Sequence, residues 1–231
     1  MKRAALTLVA LALAGSVWAG QHAVRSLPVD RSTPLVYVAL GDSTVEGIGA
    51  SRPELNYVSR LHARLRTVYP EARVINLGVG GATSADVIVN QLERAIALAP
   101  RLLTLSIGPN DLTTRVPVET YEKNVDTILG RLTRETAAVV VANLLPDLVV
   151  TPRFKTSPER DAVGRLTVRF NQALGRQGRA HGVELVDLYL ASQREVPRRP
   201  ELLWTDGYHP SDAGYARWAE LVWQGVETRI R

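Results

Sequence analysis

From Pro34 onward, short continuous apolar runs alternate with stretches whose apolar positions recur every three or four residues. The runs are "LVYVAL" (35–40), "ARVINLGV" (72–79), "RLLTLSIG" (101–108), "AAVVVANLL" (137–145) and "VELVDLY" (183–189). Continuous runs of this kind, rich in β-branched residues, predict strands buried on both faces. Between them, "RLHARLRTVYP" (60–70) sets Leu61, Leu65 and Val68 on one helical face, with Pro70 as its stop. "ATSADVIVNQLERAIAL" (82–98) repeats the pattern with Val87, Leu92 and Ile96, and Thr83 or Ser84 can cap it. "PVETYEKNVDTILGRLTRE" (117–135) puts Pro117 in a first helical turn. A long helix is predicted over 159–182 and a last amphipathic one over 211–230; "LLPDLVVTPRFKTSP" (144–158) is a proline-punctuated loop.

Strand–helix alternation at this spacing predicts an α/β fold, a parallel sheet with helices on both faces. Residues 34–231 read as one domain, with no repeat, low-complexity tract or domain-sized linker.

The N-terminus has a different pattern. Lys2 and Arg3 precede the apolar "AALTLVALALAGSV", and "VWA" ends at Ala19 with small residues at its key positions. This is the form of an export signal over 1–19. An uncleaved membrane anchor is the lesser alternative, because a full span takes about 20 apolar residues. Residues 20–33 read as a polar leader. The chain is therefore expected to be exported, periplasmic or extracellular, with no membrane span once the signal is cleaved.

Composition narrows the chemistry. The 231 residues include no cysteine, which excludes disulfides, thiolate nucleophiles and cysteine-held zinc. The net charge of +5 is spread along the chain, whereas a nucleic-acid binder clusters its cations on one face. No nucleic-acid partner, metal or organic cofactor is expected.

Ligands in open parallel sheets bind at the carboxyl ends of the strands. Those ends carry Gly41-Asp42-Ser43, "NLGVGGATS" (76–84), Gly108-Pro109-Asn110-Asp111 and, far along the chain, Asp206-Gly207-Tyr208-His209. Each alone is a plausible turn, cap or surface loop. Together they hold every part of an acyl-transfer site. A serine hydroxyl needs a base, and His209 can supply it. Asp206, three residues earlier, can hold the imidazole tautomer. The Ser43 N–H, the N–H of a glycine in the second loop and the Asn110 amide are candidate donors to an oxyanion.

These blocks, "ALGDSTVEG", "NLGVGGATS", "SIGPNDL" and "TDGYHPSDAGY", resemble in order and separation those of the SGNH, or GDSL-type, hydrolases, which include esterases, lipases and lysophospholipase-like enzymes. The resemblance runs from about residue 35 to the last helix. It implies a flavodoxin-like three-layer sandwich around a five-stranded parallel sheet. It implies Ser43 as nucleophile, His209 as base with Asp206 behind it, and the Ser43 N–H, Gly81 and Asn110 as oxyanion donors. Gly81 is preferred to Gly80 because it keeps the spacing to Thr83 and Ser84. Ala82 stands where many relatives have Asp. Asp42 and Asp111 read as structural, and His22, His62 and His181 as surface residues without catalytic partners.

The resemblance implies a serine esterase or lipase acting on a small-molecule or lipid ester through an acyl-enzyme on Ser43. Carbohydrate O-deacetylation and thioester cleavage use the same machinery, and a ligand-binding protein can keep the fold without the chemistry. The 144–158 loop is a candidate acyl-chain wall, with Leu145 and Leu148 as candidate substrate contacts beside Trp204 and Tyr208. Competing motifs fail. "LGVGGA" has Thr83 where a dinucleotide loop needs its third glycine, and Ser43 is followed by Thr44-Val45, not by the Gly-x-Ser-x-Gly elbow of the α/β-hydrolases.

Overall fold

The computed structural model describes residues 25–231. The five apolar runs form one parallel sheet: β1 Val36–Gly41, β2 Arg73–Asn76, β3 Leu102–Ser106, β4 Val139–Asn143 and β5 Glu184–Val186, in the order β2-β1-β3-β4-β5. The chain winds outward from β1 to β2 and then returns to place β3 on the other side. The crevice between the ends of β1 and β3 is therefore the topological switch point, where such sheets bind ligands.

β3 and β4 are buried along their whole length and β1 beyond its first residue. Successive side chains alternate between faces. Val38, Leu40, Leu103, Leu105, Val140 and Ala142 face one core, covered by helices Leu92–Ala97, Val118–Glu135 and Arg160–Ala180. Tyr37, Ala39, Val139 and Val141 face the other, covered by helices Tyr57–Arg66 and Asp212–Glu227. The sandwich thus has three layers, as expected.

Several boundaries depart from the sequence pattern. The helix expected to run to Pro70 ends at Arg66. The run 183–189 is not all strand: β5 stops at Val186, and Asp187 caps a helix, Leu188–Glu195, by accepting from the Leu190 N–H at 2.9 Å. Tyr189 and Leu190 thus belong to a helix whose polar signals lie mostly after the strand-like run. The loop after β4 contains a 3₁₀ turn, Leu148–Val150, and a short helix, Pro152–Lys155.

The helix predicted over 82–98 is interrupted. A π turn, Val87–Gln91, separates Ser84–Asp86 from Leu92–Ala97. Gln91 in that turn is buried, donating to the Gly41 carbonyl and accepting the Gly41 N–H, both at 2.9 Å. A single-turn π bulge of this kind is a common feature near functional sites. Here its amide fixes both backbone groups of the residue that ends β1.

The export signal expected over 1–19 lies outside the described residues. The described part of the expected polar leader is fastened to the domain. Leu27 is buried and donates its N–H to the Arg229 carbonyl at 2.8 Å. Arg25 donates to the carbonyls of Thr133, Thr136 and Ala138, and Arg31 to the Tyr69 hydroxyl. No helix among the described residues is long and apolar enough to cross a membrane.

Candidate active site

β1 delivers Ser43 to the switch point through a tight turn. Gly41 has φ +145°, and a Cβ there would lie 1.9 Å from the Ser106 carbonyl oxygen, so only glycine fits. Asp42 is buried and caps the short helix Ser43–Glu46, its Oδ1 accepting from the Thr44 N–H at 2.9 Å and the Thr44 hydroxyl at 2.8 Å. Burial pushes the Asp42 carboxyl up to about 6, against the lowering effect of those bonds.

The partner of Ser43, His209, lies 166 residues further along the chain, in a hairpin closed by the antiparallel bridge between Leu203 and Pro210. The Trp204 N–H donates to the His209 carbonyl at 2.8 Å, and the Gly207 N–H to the Trp204 carbonyl at 2.9 Å. This brings His209 Nε2 to 2.9 Å from Ser43 Oγ. His209 Nδ1 lies 2.6 Å from Asp206 Oδ2, while Asp206 Oδ1 accepts the N–H groups of Tyr208 at 2.9 Å and His209 at 3.0 Å.

Burial pushes the Asp206 carboxyl up, but the His209 and backbone hydrogen bonds outweigh it and leave the group below its ordinary value. An ionised carboxylate only accepts hydrogen bonds, so Nδ1 must carry the proton and donate. Nε2 is then left as acceptor, facing the Ser43 hydroxyl. The arrangement can deprotonate Ser43 as the hydroxyl attacks a carbonyl. Tyr208 stands edge-on to the imidazole, ring centres 5.0 Å apart.

The second and third loops meet beside this pair. The Gly80 N–H is already engaged, donating to Glu46 Oε2 at 2.6 Å. Gly81, at φ +80°, makes no backbone or side-chain hydrogen bond through its N–H among the described residues. Asn110 Nδ2 donates to the Ala82 carbonyl at 2.9 Å, which uses one of its two hydrogens and leaves the other. Asp111, fully buried, accepts the Ser84 N–H at 2.9 Å and the Ser84 hydroxyl at 2.5 Å, so it braces the second loop against the third. Thr83 and Asp86 form a capping box in the same segment.

Ser43, Asn110, Tyr208 and His209 line one predominantly apolar cavity, as do Leu145 and Leu148 from the 144–158 loop. Those two leucines are both cavity wall and members of the core under the sheet. Trp204, the fourth expected contact, is 43% exposed and is not part of the cavity wall; its Cβ sits near Gly49.

His62 and His181, expected at the surface without catalytic partners, are both partly buried and make structural hydrogen bonds. His62 Nε2 lies 2.9 Å from the Ala72 carbonyl. His181 is mostly covered and pairs with Asp126 at 2.7 Å. His22 lies outside the described residues. Two supporting residues went unnoticed in the sequence, Glu46 and Gln91. Gln91 had a signal: it is a polar residue at helical spacing between Val87 and Ala95, on the apolar face. Glu46 lies one turn after Ser43, and its bond to the second loop has no linear signature.

The model of the GDSL-like lipase/acylhydrolase family matches residues 39–217. The chain is 27% identical over 194 residues to an acetylxylan esterase of Geobacillus stearothermophilus, covering 76% of this chain and 86% of the relative. Among solved structures, an alpha/beta hydrolase enzyme from the metagenome of Lake Arreo, Spain, is similar with a TM-score of 0.69 at 23% identity, over 85% of this chain and 97% of that one. An acetylxylan esterase structure from Geobacillus stearothermophilus is similar at 0.66 and 21% identity, over 85% and 96%. The structural likenesses establish the fold. With the family match spanning most of the sheet and all four strand-end blocks, the chain belongs to the GDSL-like lipase/acylhydrolase family and is a carboxylic ester hydrolase.

Proposed function

We propose that this protein is a serine esterase in which Ser43 is the nucleophile, His209 the general base and Asp206 the group that orients the imidazole. The observation that carries this reading is the unbroken relay from Ser43 Oγ to His209 Nε2 at 2.9 Å and from Nδ1 to Asp206 at 2.6 Å. The Ser43 N–H, the Gly81 N–H and the Asn110 amide are the oxyanion donors.

Ser43 Oγ attacks the ester carbonyl carbon while its proton passes to His209 Nε2. The negative charge develops on the carbonyl oxygen, facing the three donors. Asp206 stabilises the imidazolium without taking its proton. Collapse of the tetrahedral intermediate breaks the bond to the alcohol, which leaves with the proton from Nε2. Water then attacks the acyl-enzyme with His209 again as base, releasing the acid and restoring the Ser43 hydroxyl. No step calls on a metal or an organic cofactor.

The substrate is a small-molecule or lipid carboxylic ester. A second reading, carbohydrate O-deacetylation, is favoured by the acetylxylan esterase relative. Export, periplasmic or extracellular, is part of the proposal and rests on residues 1–19.

The experiment compares wild type and Ser43→Ala, produced from residue 20, on p-nitrophenyl esters, with circular dichroism to check both folds. The reading predicts hydrolysis by wild type and its loss in a folded variant. A folded Ser43→Ala protein at the wild-type rate would remove Ser43 from the chemistry.

A further inference from the structure

The hairpin that carries His209 is clasped by the 144–158 loop. Gly207 has φ +66°, and a Cβ there would lie 2.9 Å from Pro152 Cβ. The Arg153 N–H donates to the Gly207 carbonyl at 3.3 Å. Phe154 is buried and meets the Tyr208 ring edge-on, centres 6.0 Å apart. These contacts set the Arg153 side chain over Tyr208. Its guanidinium carbon lies 4.7 Å from the centre of that ring and 5.5 Å from the centre of the Phe154 ring. Tyr208 in turn stands edge-on to His209, ring centres 5.0 Å apart. One aromatic ring therefore separates a held positive charge from the candidate base.

That charge has no counter-ion. Among the described residues Arg153 pairs with no carboxylate, and its guanidinium donates no hydrogen bond; its side-chain contacts are the two rings. The acids along the neighbouring chain are engaged elsewhere. Asp147 accepts from the Val149 N–H and from Gln193, Glu159 pairs with Arg115, and Asp206 holds His209. Arg199 and Arg217, by contrast, are both held by Glu195. A guanidinium stacked on a ring keeps its N–H groups in its own plane, pointing past the ring, where they match the paired oxygens of a carboxylate or phosphate. Stacking also limits its rotamers, so less freedom is lost when an anion binds. The side chain is exposed, so an anion can reach it from solvent.

The chemistry at His209 fixes which half of an ester lies on this side. Nε2 hands its proton to the leaving oxygen, so the alcohol half sits within hydrogen-bond reach of the imidazole. We propose that Arg153 is a specificity-determining residue for that half: it binds an anionic substituent, carboxylate or phosphate, on the leaving alcohol, which runs past His209 along the Tyr208 ring. The inference rests on Ser43 and His209 as the hydrolytic pair. It makes the alcohol, and not the acid, the half that is selected by charge.

Three aryl acetates with leaving phenols of like size test it. The phenols of para-acetoxybenzoate and para-acetoxyphenyl phosphate carry an anion, and para-acetoxybenzamide is the neutral comparison. Phenol release is followed by chromatography, and each kcat/KM is divided by the ester's own rate with hydroxide. A unit-charge pair in contact near water is worth about fivefold in affinity, and a bidentate pair more. Wild type is expected to favour at least one anionic ester over the amide by about fivefold or more, chiefly through KM, and the larger preference names the anion. Arg153→Gln is expected to lower that ratio by about fivefold, Arg153→Glu to lower it further and Arg153→Lys to keep part of it. Added salt is expected to lower the wild-type ratio and to move that of Arg153→Gln little. A merely structural part for Arg153, holding Tyr208 in place, would slow all three esters together and leave the ratio unmoved.

Calorimetric titration of the two anionic esters into Ser43→Ala, and into the Ser43→Ala, Arg153→Gln double variant, gives an arm without turnover. The double variant is expected to bind the preferred anion about fivefold more weakly. A wild-type ratio near one for both anions, or ratios and binding unmoved by Arg153→Gln and Arg153→Glu, would overturn the anion site while leaving the esterase intact. Hydrolysis of the amide comparison by Ser43→Ala at the wild-type rate would overturn the esterase reading instead, and the ratios of the Arg153 variants would still decide the anion site.

Discussion

Glu46 Oε2 accepts the Gly80 N–H at 2.6 Å, and the next N–H along the chain, that of Gly81, has no hydrogen-bond partner among the described residues. One carboxylate thereby decides which of two adjacent glycines can offer a donor to the site. Glu46 touches no reacting atom in this account; it positions the second loop. Glu46→Ala is expected to lower kcat about tenfold with little change in KM, and Glu46→Gln, which keeps an acceptor oxygen, to recover most of it. A wild-type kcat in Glu46→Ala would show that the loop holds its shape unaided.

Asn110 is assigned a direct part. Removing one oxyanion donor typically costs about 10²–10³ in kcat. Asn110→Ala should lose that much, while the lost bond to the Ala82 carbonyl costs only about 1 kcal/mol in urea unfolding. A loss of less than threefold in kcat would exclude the side chain from the oxyanion site.

Gln91 bears on stability. Its amide satisfies both the N–H and the carbonyl of Gly41, inside the fold. Gln91→Ala leaves two buried polar groups unpaired and should cost about 2–5 kcal/mol. Urea unfolding followed by far-ultraviolet circular dichroism measures this directly, and a cost below 1 kcal/mol would show that water or a shifted loop replaces the amide.

Asp42 gives a pH dependence with a definite sign. Burial raises its carboxyl to about 6 in the folded chain, against about 3.9 unfolded. The folded state therefore binds the proton more tightly between those values, and stability falls as pH rises from about 4 to 6. Asp42→Asn keeps an oxygen to accept from Thr44 and removes the titration. Melting temperatures across this range should show wild type losing ground to Asp42→Asn up to pH 6, then running parallel. A constant difference from pH 4 to 8 would show that Asp42 is not the titrating group.

The sequence made the sheet legible because β1, β3 and β4 are buried on both faces, so their apolar runs are unbroken. The chemistry was legible because the strand ends carry polar residues that a plain turn does not require: Ser43, Asn110, Asp206 and His209. The helix after β5 was not, since Leu188, Tyr189 and Leu190 continue the apolar run and only the Asp187 cap divides it. The π turn was hidden for a related reason: its cause, the pairing of Gln91 with Gly41, spans 50 residues. The cavity could not be read at all. Its wall joins Leu145, Leu188, Leu202 and Trp218, apolar residues that look like any other core positions until the fold leaves space between them.

The most direct test of the account is covalent capture of the nucleophile. A p-nitrophenyl alkylphosphonate transfers its phosphorus to an activated serine oxygen and releases p-nitrophenolate, leaving an adduct that intact mass and peptide mapping can place. The account predicts one adduct per chain, on Ser43, absent from Ser43→Ala and formed far more slowly by His209→Ala. An adduct on another residue, or equal labelling of Ser43→Ala, would contradict it.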